Sequence, residues 1–283
     1  MKKTGIILEG GAMRSVFAAG VLDFFMEKKV EISNVLAVSA GAYAGMNYVS
    51  GQKGRVIDAV IKPLEKEKYM GVTTFFRKGT FFDMDYLFDV VPKSQAPFDF
   101  ETFQNSDIRF LMNTTDCDTG KCIYHENFES EEQFWKLCRA ANSLPFISRI
   151  THHNGSALLD GGLADAIPVV KALEEGWERL IIVLTRKDDY RKKYRHFYML
   201  LMRLIYHKYP KLIKTVAERA DKYNESLAVV EKLQKEGKAL VIRPTEMTVM
   251  NQEANVKTLM KYYYHGYEQA REREAEIREF LLV

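Results

Sequence analysis

Cysteine is scarce. Cys117, Cys122 and Cys138 are the only three in 283 residues. An odd, small number argues against a disulfide framework. Cys117 and Cys122 flank Asp118-Thr119-Gly120-Lys121, which reads as a hairpin turn. No second cysteine pair or neighbouring His-x-x-x-His follows, so structural thiols are expected rather than a zinc or redox site. Long apolar runs are also missing. None reaches ~18 uninterrupted residues, so no membrane span is expected. Met1-Lys2-Lys3 has the charge of a secretion signal. The apolar stretch that should follow is broken by Glu9, Gly10, Gly11 and Arg14, which argues against one. A reducing, cytoplasmic setting is the default expectation. An excess of one charge is lacking too. The formal net charge is +3 on 28% charged residues, so the overall balance does not point to nucleic acid as a partner. Nucleotide motifs are absent: there is no P-loop Lys-Ser/Thr and no G-x-G-x-x-G. No internal repeat or low-complexity linker occurs.

What is present is apolar substance, 47% of residues, ample for a large core. At ~100–200 residues per domain the length allows one large domain or two small ones. Without a linker, one domain over residues 1–283 is expected. Short apolar runs bounded by glycine suit buried strands of a parallel sheet. Gly5–Leu8, Val35–Val38, Ser156–Leu159, Leu180–Leu184 and Ala239–Ile242 fit that description. Ile108–Asn113 and Cys122–His125 read as paired strands around the Thr119-Gly120 turn. Helical patterns begin near Arg14, span Glu131–Ala141, and follow Pro168, proline being at home in a first turn. Alternating strands and helices predict an α/β fold: three layers, with a mostly parallel central sheet covered on both faces. Ligands in such sheets bind beyond the carboxyl ends of the strands. Three glycine-marked loops follow strands here.

Glu9-Gly10-Gly11-Ala12-Met13-Arg14 lies between a strand and a helix. Small residues let the backbone turn tightly and expose N–H groups. Such a loop suits an oxyanion or a phosphate. Taken alone it is as readily a tight turn. Ala37-Val38-Ser39-Ala40-Gly41 resembles the nucleophile elbow G-x-S-x-G, in which a strained turn lifts a serine above the sheet. The competing reading is a serine at a helix N-cap. An apolar strand before it and small residues after it favour the elbow. Asp160-Gly161-Gly162 also follows a strand. A serine hydroxyl needs a base to take its proton, and an aspartate there is placed to be one. Taken alone, an aspartate capping its own turn is the simpler reading.

In this order the three loops resemble the patatin-like phospholipase family. Its pattern is D-G-G-G-x-R-G, then G-x-S-x-G, then D-G-G or D-G-A. The chain offers Glu9–Ser15, Ala37–Gly41 and Asp160–Gly162. Ser143-Leu144-Pro145-Phe146 resembles the family's small-residue-proline segment. The resemblance covers roughly residues 4–185. Departures are Glu9 for aspartate, Ala12 and Ser15 for glycines, Ala37 for the elbow's first glycine, and Ile167-Pro168 for Asn-Pro. They match a bacterial-type branch.

The resemblance implies a Ser39–Asp160 dyad without histidine. Backbone N–H groups of Gly10, Gly11 and Ala12 would hold the oxyanion, and Arg14 would orient that loop or meet a substrate phosphate. No metal or other cofactor is implied. The expected activity is hydrolysis of carboxylic esters, phospholipids or lysophospholipids among them, through an acyl-serine. Two alternatives stand: an acyltransferase using the same acyl-serine, and a catalytically silent lipid-binding protein. His152 and His153 read as a solvated hairpin. His196, His207 and His265 follow Asp160, but none lies in a glycine-marked loop.

From about residue 186 to 235 the chain turns basic and aromatic, reading as a helical cap inserted between strands. Lys192, Lys193, Arg195, Arg203 and Lys208 would attract anionic head groups, and Phe197, Tyr198 and Leu201 would enter a membrane interface. Peripheral contact with the inner membrane face through residues 191–209 is therefore one expectation. A packed cap with a solvated basic face is the other. Residues 239–280 supply a last strand and a long charged helix. Oligomeric state is not legible.

Overall fold

The computed structural model describes residues 3–246 and 248–282. Met1 and Lys2, the start weighed above as a secretion signal, lie outside the described residues. The chain order is β1 (Thr4–Leu8), α1 (Val16–Glu27), β2 (Asn34–Ala37), α2 (Ala40–Val49), α3 (Val72–Lys78) and α4 (Phe100–Gln104). Next come β3 (Arg109–Asp116), β4 (Cys122–His125), α5 (Glu131–Ala141), β5 (Thr151–His153), β6 (Ser156–Asp160) and α6 (Val169–Glu174). The chain continues with β7 (Arg179–Val183), α7 (His196–Ile205), α8 (Pro210–Lys235), β8 (Ala239–Ile242), α9 (Val256–Glu272) and α10 (Glu274–Leu282).

The strands form one sheet in the order β5-β6-β3-β2-β1-β7-β8, with β4 paired to β3. The pairs from β3 through β8 are parallel. Alternation along the strands makes the layers, because successive side chains face opposite ways. Ile6, Leu8, Val35, Ala37, Ile181 and Val183 enter one core with α1, α2, α5 and α9. Ile7, Leu36, Leu180 and Ile182 enter the other with α6 and α8. Both faces are covered, which is why these strands read as unbroken apolar runs.

The sheet is mixed at one end. β6 runs antiparallel to β3, and β5 antiparallel to β6. Ala37, closing β2, is level with Met112, and Asp160 pairs with Thr114 two residues beyond. β6 therefore descends from outside toward the end of β2. This corrects one expectation. The loops after β1 and β2 sit at carboxyl ends of the parallel set, whereas Asp160 reaches the same place on a strand of opposite direction.

The other helices depart from the sequence reading in two places. The last helix, read as one long charged helix, is broken at Arg273 into α9 and α10. Tyr262 and Tyr263 of α9 are buried, and this helix lies so close on α1 that a Cβ on Gly20 would come 2.0 Å from the Tyr263 carbonyl oxygen. α1 is consequently buried all round from Val16 to Phe25. In the basic segment, residues 186–195 are irregular, and helix begins only at His196. On α7 the exposed apolar set is Phe197, Leu200, Leu204 and Ile205. Tyr198, expected outside, packs edge-on against Phe146 with centroids 5.1 Å apart, and Leu201 is half-buried. Among the described residues, no helix is long and apolar enough to cross a membrane.

Candidate active site

Ser39 sits between β2 and α2 at φ 54°, ψ −131°. A positive φ is rare outside glycine and costs ~1–3 kcal/mol, so the surroundings must impose it. They do so from both sides. Val38 N–H donates to the Leu8 carbonyl at 3.1 Å, and Gly41 N–H to the Val38 carbonyl at 2.8 Å. Gly41 is required: a Cβ there would lie 2.7 Å from the Leu8 carbonyl oxygen. Ala37, standing for the elbow's first glycine, is accommodated because its methyl enters the core under α2.

Ser39 Oγ donates to Asp160 Oδ2 at 2.5 Å. Both residues are buried. Asp160 Oδ1 accepts from Gly162 N–H at 2.8 Å, which fixes the carboxylate plane. Its backbone is pinned as well. Asp160 N–H donates to the Ser143 carbonyl at 2.8 Å, and Thr115 Oγ1 donates to the Asp160 carbonyl at 2.9 Å. That is the local role of Ser143 in the Ser143-Leu144-Pro145-Phe146 segment. Burial is the largest influence on Asp160 and raises its pKa. The Ser39 hydroxyl, the Gly162 N–H and the charges of Arg219 and Lys192 act against it.

Gly10, Gly11 and Ala12 pass directly beside the serine. A Cβ on Gly10 would lie 2.7 Å from both Ser39 Cβ and the Val38 carbonyl oxygen. Among the described residues, the N–H groups of Gly10, Gly11 and Ala12 donate to no protein group. Ala12 has φ 49°, a conformation that explains why glycine is the commoner choice there. Arg14 follows in a short 3-10 turn, and its buried Nε has no hydrogen-bond partner.

Glu9 stands where the family pattern has aspartate, and its reach has a use. The buried carboxylate accepts from Thr185 N–H at 2.6 Å, Thr185 Oγ1 at 3.0 Å and the Tyr223 hydroxyl at 2.7 Å. It clasps the glycine loop to the end of β7 and to α8. Among the described residues Tyr223 is the sole donor to Oε1, and Tyr223→Phe removes it. A buried acceptor left unpaired costs ~1–3 kcal/mol. The expected result is a lower denaturation midpoint at unchanged m-value; an unmoved midpoint would contradict the clasp.

Ser39 lines two cavities. The first is apolar, with Tyr43, Val60, Tyr69, Phe82, Phe88 and Ile147 among its walls. The second is polar and holds Asp160, Gly10, Gly11, Ala12 and Arg14. Leu144 borders both. Every candidate site residue named from the sequence is thus gathered around one hydroxyl. None of the six histidines lines either cavity. His152 and His153 lie on the β5–β6 hairpin as read. Among the described residues, no group of three or more His, Cys, Asp or Glu is placed to hold a metal ion. Three contributors escaped the sequence reading: Thr185, Tyr223 and Arg219, whose Nε donates to the Gly162 carbonyl at 2.7 Å. Thr185 alone carried a signal, since it lies just past the end of a strand.

A mostly parallel sheet with a serine on a strained strand-to-helix turn, hydrogen-bonded to a buried carboxylate, defines an α/β protein of the serine-elbow class. The model of the patatin-like phospholipase family matches residues 6–173, over half the chain, and the chain belongs to that family. A second match, to a domain of unknown function (DUF6363), covers residues 209–282. Among curated proteins the chain is similar to "Uncharacterized protein YjjU" of Escherichia coli K12, 28% identical over 190 residues, 65% of this chain and 52% of that one. It is also similar to fungal lysophospholipases. Lysophospholipase NTE1 of Meyerozyma guilliermondii is 26% identical over 63% of this chain and 12% of its own length. Lysophospholipase nte1 of Aspergillus niger is 28% identical over 59% and 11%. The chain thus spans about half the length of the bacterial relative and about a tenth of the fungal ones. Among solved structures, VipD of Legionella pneumophila shares the fold, with TM-score 0.50 and 12% identity over 96% of this chain and 66% of that one.

Proposed function

We propose that the protein is a lipid acyl hydrolase that cleaves carboxylic esters through a Ser39–Asp160 dyad. The observation that carries this reading is the 2.5 Å hydrogen bond from a strained serine to a buried carboxylate. As Ser39 Oγ attacks the ester carbonyl carbon, its proton passes to Asp160 Oδ2. The carbonyl oxygen becomes an oxyanion beside the free N–H groups of Gly10, Gly11 and Ala12. One such donor is worth ~2.7–4 kcal/mol of barrier. When the tetrahedral intermediate collapses, the C–O bond to the alcohol breaks and Asp160 returns the proton to the leaving oxygen. Water then attacks the acyl-serine as Asp160 accepts its proton, and collapse of that second intermediate breaks the bond from the acyl carbon to Ser39 Oγ, releases the free acid and returns the proton from Asp160 to Oγ. A raised pKa makes the carboxylate a stronger base for this task. The acyl chain would occupy the apolar cavity, which begins at Ser39 and is walled by Tyr69, Phe82 and Phe88.

The exposed apolar face of α7 beside Arg203 supports contact with a lipid surface, in line with lipid esters as substrates. The test is hydrolysis of p-nitrophenyl esters across chain lengths by wild type and Ser39→Ala. Loss of turnover and of fluorophosphonate labelling in the folded variant is the expected result. Wild-type labelling that persists in Ser39→Ala would move the nucleophile elsewhere. An acyl product on an added alcohol, in place of free acid, would favour the transferase alternative.

A further inference from the structure

The turn that follows the base is held by two elements. Asn113 on β3 packs against it: a Cβ on Gly161 would come 2.0 Å from Asn113 Oδ1, and Asn113 Nδ2 donates to the Asp165 carbonyl at 2.9 Å. The second element is α8, whose Arg219 Nε donates to the Gly162 carbonyl at 2.7 Å. Gly162 gives its own N–H to Asp160 Oδ1 at 2.8 Å, so a single residue separates Arg219 from the carboxylate. A Cβ on Gly162 would lie 3.1 Å from Asp160 Oδ1 and 3.8 Å from Arg219 Nη2, which puts carboxylate and guanidinium on the same side of that glycine.

Arg219 is one of three donors in a row. Thr215, four residues before it, donates from Oγ1 to the Gly120 carbonyl at 2.7 Å, and Tyr223, four residues after it, donates to Glu9 Oε1 at 2.7 Å. Residues four apart share a helix face. One stripe of α8 thus reaches the β3–β4 hairpin, the turn after Asp160 and the glycine loop. The fit is close, since a Cβ on Gly120 would come 2.6 Å from the Lys211 carbonyl oxygen. The stripe lies beyond residues 6–173, which match the patatin-like model, and within 209–282, which match the domain of unknown function. The charge of Arg219 is not spent on a surface partner. Its neighbour Glu218 pairs with Lys214 and Lys222, and Arg219 enters no ion pair among the described residues. Asp160 is faced by Ser39 from the elbow, by Arg219 from α8, by Lys192 from the irregular segment and by Tyr198 from α7. Glu9, Arg14, Arg186, Lys193 and Arg195 complete the charged lining of the same cavity. Burial raises the Asp160 pKa, and the positive charges of Arg219 and Lys192 oppose it. Of those two cations, Arg219 is the one hydrogen-bonded to the turn.

We propose that Arg219 is the positioning residue of the base: it holds the Gly161-Gly162 turn so that Gly162 N–H keeps Asp160 aimed at Ser39, and its charge favours the ionised carboxylate that must take the serine proton. The stripe of Thr215, Arg219 and Tyr223 is then what residues 209–282 contribute to the site, a scaffold that sets both the base and the oxyanion loop. This rests on the ester-hydrolase reading above.

The test joins turnover to stability. Arg219→Gln keeps a donor and loses the charge, whereas Arg219→Lys keeps the charge. Arg219→Gln is expected to lower kcat for p-nitrophenyl butyrate by ~10-fold or more. It should also move the acid limb of kcat/KM to higher pH, because burial then acts on Asp160 with less opposition. Arg219→Lys should return the limb to the wild-type position. An acid limb that stays put in Arg219→Gln, or that moves as far in Arg219→Lys, overturns the proposal. Thermal melts at pH 7 give a readout that needs no turnover. Arg219→Gln should lower the midpoint in the wild-type background and by much less in Asp160→Asn, where no buried charge calls for the guanidinium. An equal drop in both backgrounds marks a merely structural arginine and overturns the proposal. If Arg219→Gln alone does not fold, the Asp160→Asn/Arg219→Gln chain decides: it is expected to fold, and its failure also overturns the proposal. A wild type that neither hydrolyses esters nor labels with fluorophosphonate counts against the hydrolase reading, and the melts still decide whether Arg219 acts on Asp160.

Discussion

Asp160→Asn is expected to lower kcat for ester hydrolysis by ~10²–10⁴-fold while leaving the protein folded, because it removes the proton acceptor and little else. Asparagine keeps the shape, and its carbonyl can still accept from Gly162 N–H. Stability should not suffer. Burial raises the folded-state pKa of Asp160 above the ordinary carboxylate value. A group shifted that way contributes most at acid pH. Its contribution falls as pH rises from the unfolded to the folded pKa, since the unfolded chain releases the proton first. At neutral pH the ionised carboxylate is therefore a burden on the fold, and the neutral amide removes it. Thermal melts at pH 7 should show the Asp160→Asn variant no less stable than wild type. The same shift sets the acid limb of wild-type kcat/KM, which should lie above the ordinary aspartate range. Undiminished turnover in Asp160→Asn, or an acid limb at or below the ordinary value, would sink the assignment of the base.

Gly10→Ala should be nearly as severe, with kcat down by ~10²-fold or more, the scale of one lost oxyanion donor. The added methyl would sit 2.7 Å from the serine's own Cβ and from the Val38 carbonyl, both fixed by the elbow. The loop must move away, taking its free N–H groups from the reacting carbonyl. Slowed fluorophosphonate labelling together with a retained near-ultraviolet circular dichroism spectrum would place the damage in the loop. Full turnover would show that Gly10 N–H does not serve the reaction.

The strands flanking these loops were readable because both faces are buried, and glycines marked their ends. Ser39 and Asp160 were readable only as members of an ordered set, each alone having an ordinary explanation. The direction of β6 was not readable, since a strand's own residues do not say which way its neighbour runs. The wall of the apolar cavity was missed altogether. Much of residues 56–95 forms tight and wide helical turns, Ile57–Ile61 and Tyr86–Gln95 among them, where no 3.6-residue period survives. The partners of Glu9 were hidden by distance along the chain. On α7 the apolar stripe was recognised with the wrong phase, since nothing local tells Tyr198 to turn toward Phe146.

That distance has a consequence in time. Glu9 meets Thr185 and Tyr223 across 176 and 214 positions of sequence. Residues are made from the amino end, so the elbow and even Asp160 emerge well before Tyr223 exists. Until α8 docks, the loop that should steady the oxyanion has lost one of its fastenings. On the proposed reading, a chain interrupted before α8 would carry Ser39 and Asp160 with the glycine loop held by fewer contacts.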